Sequence, residues 1–237
     1  MTEQEFLTLE DPSTLLAWAT GAIRGSTTPH PLPDGYRAMN ERKLRLFACA
    51  CIRRYWDGLS ALARNAVIVG EQFADGLASV DELLAVEKSL PRPLHGAELS
   101  ASYCVWPEAH YAARAMLRAL FDHENESTVR REVTSIACAK ILREIVGNPF
   151  RPVKVRVPAF VLPGGLTSRT MTAPPWLTPQ VLSLATAAYS GEWTALGPLS
   201  DALEETGCDS TDLLEHLRSV GPHVKGCWAV DLILGKS

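Results

Sequence analysis

No run of this sequence is long and apolar enough to cross a bilayer. The longest apolar stretches, residues 44–52 and 228–234, are interrupted by Arg45 and Asp231. Both fall far short of the roughly 20 residues a membrane helix needs. The acidic start Met1-Thr2-Glu3-Gln4-Glu5 lacks the apolar core of a secretory signal, so a cytoplasmic protein without a membrane partner is expected. Positive charge is not in excess either: 23 Lys and Arg against 27 Asp and Glu leave a net charge of −4. That sets aside a protein whose whole surface grips nucleic acid, which needs a strong positive field. The six cysteines lack the spacing of a disulfide scaffold and are read as thiols. There is no P-loop, dinucleotide fingerprint, nucleophile elbow or His-Glu-x2-His, and no repeat of solenoid period.

What is present is helical periodicity cut by glycine and proline. Asp11-Pro12 reads as an N-cap and a first-turn proline for a helix over 13–23. Residues 25–39 form a Gly/Pro-rich loop. Asn40 then caps a helix over 41–56 whose middle is apolar on most sides, the mark of a central core helix. Helices follow over 59–74, 80–89 (with Ser79 and Glu82 as a capping box), 98–106, 107–121 and 127–146. The C-terminal part is read as helices over 179–189, 198–206, 210–219 and 222–234.

Between these blocks lies a different segment. Residues 153–157 alternate with period two, and Pro163-Gly164-Gly165 could turn them back, so a small β-hairpin over 153–171 is an option. Arg151, Lys154, Arg156 and Arg169 lie there, and no acid follows until Glu192. In an acidic chain this is a local positive patch and a candidate interaction surface; the competing reading is a solvated loop. The fold expected is all-α, an irregular multi-helix bundle of short helices. Residues 1–146 form an N-terminal bundle, 147–175 a basic extended insertion, and 176–237 a C-terminal helical unit, either sharing one core with the bundle or tethered to it.

Chemistry-bearing residues gather near the C-terminus. Cys208, His216, His223 and Cys227 are a ligand set of the right number and kind for zinc, although their spacing matches no short zinc motif. Each has a competing structural reading. Cys208 follows Gly207 and suits a Schellman cap. His216 suits a helix C-terminus. Cys227 suits an apolar helix face. If the last helix begins near Pro222, His223, Cys227 and Asp231 stand one turn apart on one face, a thiol-active arrangement in outline. In that array cysteine is the middle member, the wrong order for a histidine that must be oriented by a carboxylate. His223 and Asp231 are then structural polar residues, with Lys225, Arg218 or a histidine as partner for Asp231. Cys49 and Cys51 are two apart on a helix, face opposite sides, and pack different parts of the core. Cys104 and Cys138 are core thiols too. Arg42, Lys43, Arg45, Arg53 and Arg54 flank the central helix and are read as helix-end electrostatics and salt bridging.

Several blocks carry a resemblance: Lys43-Leu44-Arg45-Leu46-Phe47-Ala48-Cys49-Ala50-Cys51-Ile52-Arg53-Arg54, Gly147-Asn148-Pro149-Phe150-Arg151-Pro152-Val153, Trp176-Leu177-Thr178-Pro179, Leu203-Glu204-Glu205-Thr206-Gly207-Cys208, and Gly221-Pro222-His223-Val224-Lys225-Gly226-Cys227-Trp228-Ala229-Val230-Asp231-Leu232. Together they resemble a large paralogous family of uncharacterised planctomycete proteins. The resemblance implies a bacterial, intracellular protein, and it transfers no activity and no catalytic residue. Against that pattern residues 25–39 are longer, residues 153–175 are an insertion, and Ile52 stands where cysteine is common.

The leading expectation is therefore a non-enzymatic, intracellular protein-interaction or adaptor module of regulatory type, binding another protein and needing no cofactor. The alternative is a zinc-stabilised or thiol-active C-terminal unit, and a third reading is nucleic-acid contact through the basic insertion. The first expectation predicts that deleting residues 155–171 leaves folding intact and abolishes partner recovery in a pull-down. Unchanged recovery would remove it.

Overall fold

The computed structural model describes residues 1–21, 39–123, 127–153 and 174–236. Among the described residues it is all-α, with twelve α-helices and no strand. They are α1 Glu3–Thr8, α2 Pro12–Ala19, α3 Glu41–Arg53, α4 Ala61–Ala74, α5 Val80–Ser89, α6 Gly96–Ser102, α7 Ala109–His123, α8 Thr128–Val146, α9 Pro179–Tyr189, α10 Leu196–Glu205, α11 Thr211–Arg218 and α12 Trp228–Leu234. None of these helices is long and apolar enough to cross a membrane. Residues 154–173, which hold most of the hairpin expected over 153–171, lie outside the described residues.

The chain divides into two compact units: Met1–Phe150 with Val224–Gly226, and Arg151–His223 with Cys227–Ser237. In the first unit α3 is the central element. The Asn40 side chain accepts from the Lys43 N–H, one of the orphan donors at the helix start. Every residue from Leu44 to Ile52 is then buried. That run includes Arg45, which is 2 % exposed. Its guanidinium donates to the carbonyls of Cys104 (2.7 Å), Trp106 (2.7 Å) and Pro107 (2.8 Å). These carbonyls end the 3-10 turn Tyr103–Val105 that follows α6, where backbone acceptors lack helical partners. The Phe73 ring lies 4.8 Å from the guanidinium carbon, a cation–π contact. Burial pulls the Arg45 pKa below the ordinary arginine value.

The other cations near α3 are also used inside the unit. Lys43 donates to the Ile145 carbonyl at 2.9 Å. Arg42 and Lys225 share the buried Asp75 carboxylate, at 3.2 and 2.9 Å. Arg53 grips Glu71 with two hydrogen bonds, at 2.5 and 2.8 Å, and lies over the Trp56 ring. The Asn148-Pro149-Phe150 block closes the unit. Asn148 Nδ2 donates to Glu3 (2.8 Å), its Oδ1 accepts from the Phe150 N–H (3.0 Å), and Phe150 stacks on Trp18 with centroids 5.8 Å apart.

The second unit packs α9 to α12 around a small core of its own, built on Val181, Leu199, Leu203, Leu213, Leu217 and Val230. Thr178 and Ser210 cap α9 and α11 through their hydroxyls. Arg218 bridges Asp201 (3.0 Å) and Glu204 (2.5 Å) from α11 to α10.

One boundary corrects the reading of the last helix. It begins at Trp228, with Cys227 as N-cap, rather than near Pro222. Gly221 and Gly226 hold positive φ values of 98° and 90°, which interrupt a helical backbone. Gly226 also lies against α3: a Cβ there would come within 2.9 Å of the Leu46 Cδ1. His223 is therefore not on the face that carries Cys227 and Asp231.

Arg45→Met should destabilise the first unit by about 3–5 kcal/mol, because it leaves backbone acceptors buried without their donor. Arg45→Lys should recover only part of this, since one ammonium cannot reproduce the fork. Urea unfolding measures both; a loss below about 1 kcal/mol for the Met variant would show those carbonyls to be otherwise satisfied.

Candidate metal centre

The second unit brings two histidines and a cysteine together. The core leucines Leu213, Leu214 and Leu217 fix the roll of α11, and His216 stands half-buried in its last turn. Its Nε2 is 3.2 Å from the Cys227 Sγ. On the other side of the ring, the Trp228 indole N–H donates to Nδ1 at 3.3 Å, with the rings 4.9 Å apart. An indole nitrogen can only donate, so His216 Nδ1 carries the lone pair and its proton sits on Nε2. Nε2–H then donates to the sulfur.

His223 precedes α12 and meets His216 edge-on, with centroids 5.4 Å apart and the planes at 85°. Its Nε2 lies 3.0 Å from the Ser219 carbonyl oxygen at the C-terminal cap of α11. A carbonyl can only accept, so His223 carries a proton on Nε2, which in the neutral ring places the lone pair on Nδ1. A backbone carbonyl that fixes a histidine tautomer in this way is the usual second partner of a metal-ligating imidazole.

One ring nitrogen from each histidine and the Cys227 Sγ lie within 4.8 Å of one another. Zinc bonds of about 2.0–2.3 Å at tetrahedral angles would put neighbouring donors about 3.3–3.7 Å apart. To reach that geometry the most distant donors would have to approach one another by about 1 Å. Two imidazoles and a thiolate are borderline-soft donors, the set that suits zinc. Cys227 is 1 % exposed.

Cys208, the remaining residue of the expected ligand set, is not in this group. It completes a Schellman cap. The Gly207 N–H donates to the Glu204 carbonyl (3.0 Å) and the Cys208 N–H to the Leu203 carbonyl (2.9 Å), with Gly207 at φ 92°. Its buried side chain joins the core of the second unit, and burial pushes the thiol pKa up. Asp231 is buried within α12. Cys49 and Cys51 point to opposite sides of α3, where Cys49 hydrogen-bonds Cys104 and Cys51 hydrogen-bonds Cys138. The bond to Cys104, then burial, raises the Cys49 thiol pKa; burial, then the bond to Cys138, raises that of Cys51. All six cysteines are buried and none is paired in a disulfide. Of the basic patch, Arg151 is exposed, whereas Lys154, Arg156 and Arg169 lie outside the described residues.

Sequence reasoning missed Trp228 and Ser219, the groups that set both tautomers. Trp228 directly follows Cys227, the one signal that could have raised it. Comparison of the chain with protein-family models, with curated proteins and with solved structures yields no match.

Cys208→Ala should lower the stability of the second unit by about 1–2 kcal/mol through lost core volume. It should leave the His216 Nε2–H to Cys227 hydrogen bond unchanged. Urea melts and the histidine nitrogen spectrum read the two effects separately, and loss of the hydrogen bond would tie Cys208 to the site.

Proposed function

We propose that the second unit is a metal-stabilised module that binds a zinc-class divalent cation through His216, His223 and Cys227. The observation that carries this reading is the convergence of the three donors from α11, from the start of α12 and from the segment between them. The Ser219 carbonyl adds support, because it leaves His223 Nδ1 with a lone pair suited to a cation. Three protein ligands leave a fourth position to be filled by water or another donor. Such an ion would cross-link α11 to α12. Its binding free energy would add to the stability of a unit whose helices are only 7–11 residues long. The thiol-active reading is less well supported, because Cys227 is buried and His223 lies off the helix that carries Cys227 and Asp231.

Elemental analysis of the purified protein is expected to find close to one equivalent of zinc. Cys227→Ser and His223→Gln should each weaken zinc binding at least about tenfold, and chelation should lower the melting temperature of the wild type but not of the variants. Metal-free protein that gains no stability from added zinc would end this reading.

A further inference from the structure

The hydrogen bonds at the two histidines run in opposite senses. At His223 the partner is an acceptor, so the ring already presents a lone pair on Nδ1. At His216 the partner of Nδ1 is a donor, the Trp228 indole, so the proton occupies Nε2, the nitrogen 3.2 Å from Cys227 Sγ. A cation seated between Cys227 and His216 must take a lone pair from Nε2. The proton then has to leave Nε2, and Nδ1 has to carry one. Two N–H groups would face each other across 3.3 Å, so the indole must turn away.

We infer that Trp228 is a tautomer lock on this site: it holds His216 in the form that cannot ligate through Nε2, and metal loading is coupled to release of the indole at the first residue of α12. The inference rests on the zinc reading above and specifies how that site is regulated. The proton balance is simple. Cys227 gives its thiol proton to solvent, while His216 exchanges a proton on Nε2 for one on Nδ1 and stays neutral. The lock lowers affinity below what the ligands alone would give, which suits a site that loads and unloads with metal supply. It also gives the Trp228 indole two positions, one hydrogen-bonded to His216 and one turned away. Trp228 is a positioning residue, acting only through His216.

The test is a zinc titration of the full chain as wild type and as Trp228→Phe, which keeps an aromatic ring and removes the N–H. The variant is expected to bind zinc roughly three- to tenfold more tightly, the equivalent of one hydrogen bond no longer broken on loading. Equal or weaker affinity in a folded variant overturns the lock while leaving the metal reading in place. If neither protein binds zinc, the metal reading fails and the lock falls with it. Nitrogen-15 histidine correlation spectra of the wild type give a readout independent of the variant. His216 should show the Nε2–H tautomer without metal and the Nδ1–H tautomer with zinc. An Nδ1–H tautomer in the metal-free protein would overturn the inference.

Discussion

The Arg45 guanidinium lies inside the first unit, and the carbonyls of Cys104, Trp106 and Pro107 receive its N–H groups. A charge in such a place is tolerated only when it is hydrogen-bonded, and here three acceptors converge on it. The end of α6 and its 3-10 turn therefore have to come up against α3 at one height. Asp75 imposes a similar condition at the C-terminal cap of α4: it is buried and answered by both Arg42 and Lys225. Apolar packing alone would let the helices around α3 slide or roll at modest cost. These polar contacts have few alternative partners, so they select one arrangement of the helices.

The closing segment is shaped by the same logic. Lys225 reaches Asp75, and Gly226 lies where a side chain would strike Leu46. With Gly221 and Gly226 both at positive φ, the chain between α11 and α12 is extended and turned rather than helical. The helix restarts only at Trp228. That restart gives Cys227 its N-cap position and brings its sulfur to His216. A helix begun several residues earlier would have carried Cys227 and His223 along one face, with no role for Ser219.

At the site itself, the direction of each hydrogen bond carries the chemical information. Ser219 and Trp228 bond two similar rings in opposite senses: the Ser219 carbonyl accepts from His223 and the Trp228 indole donates to His216. On the proposed zinc reading, only one of the two imidazoles has its outer nitrogen bonded to an acceptor. A permanently loaded structural site would have an acceptor beside each imidazole.

Much of the architecture was legible in the order of residues. Caps at Asn40, Ser79, Thr178 and Ser210, the proline at the start of α2, and the Gly207-Cys208 cap are local signals, and each follows from backbone donors and acceptors within one turn. The apolar middle of α3 likewise marks a central helix, because nothing but burial on all sides accounts for it. The sequence by itself thus determined an all-α chain and its main breaks, and offered the cap at Gly207-Cys208 as one of two readings of Cys208. Tertiary structure alone decided that Arg45 is a buried organiser rather than a helix-end charge, that Lys225 reaches Asp75, and that His216 rather than His223 touches the Cys227 sulfur. The reason is physical. Caps and periodicity act over three or four residues, whereas the partner of a buried charge or the tautomer of a histidine depends on atoms brought from distant parts of the chain.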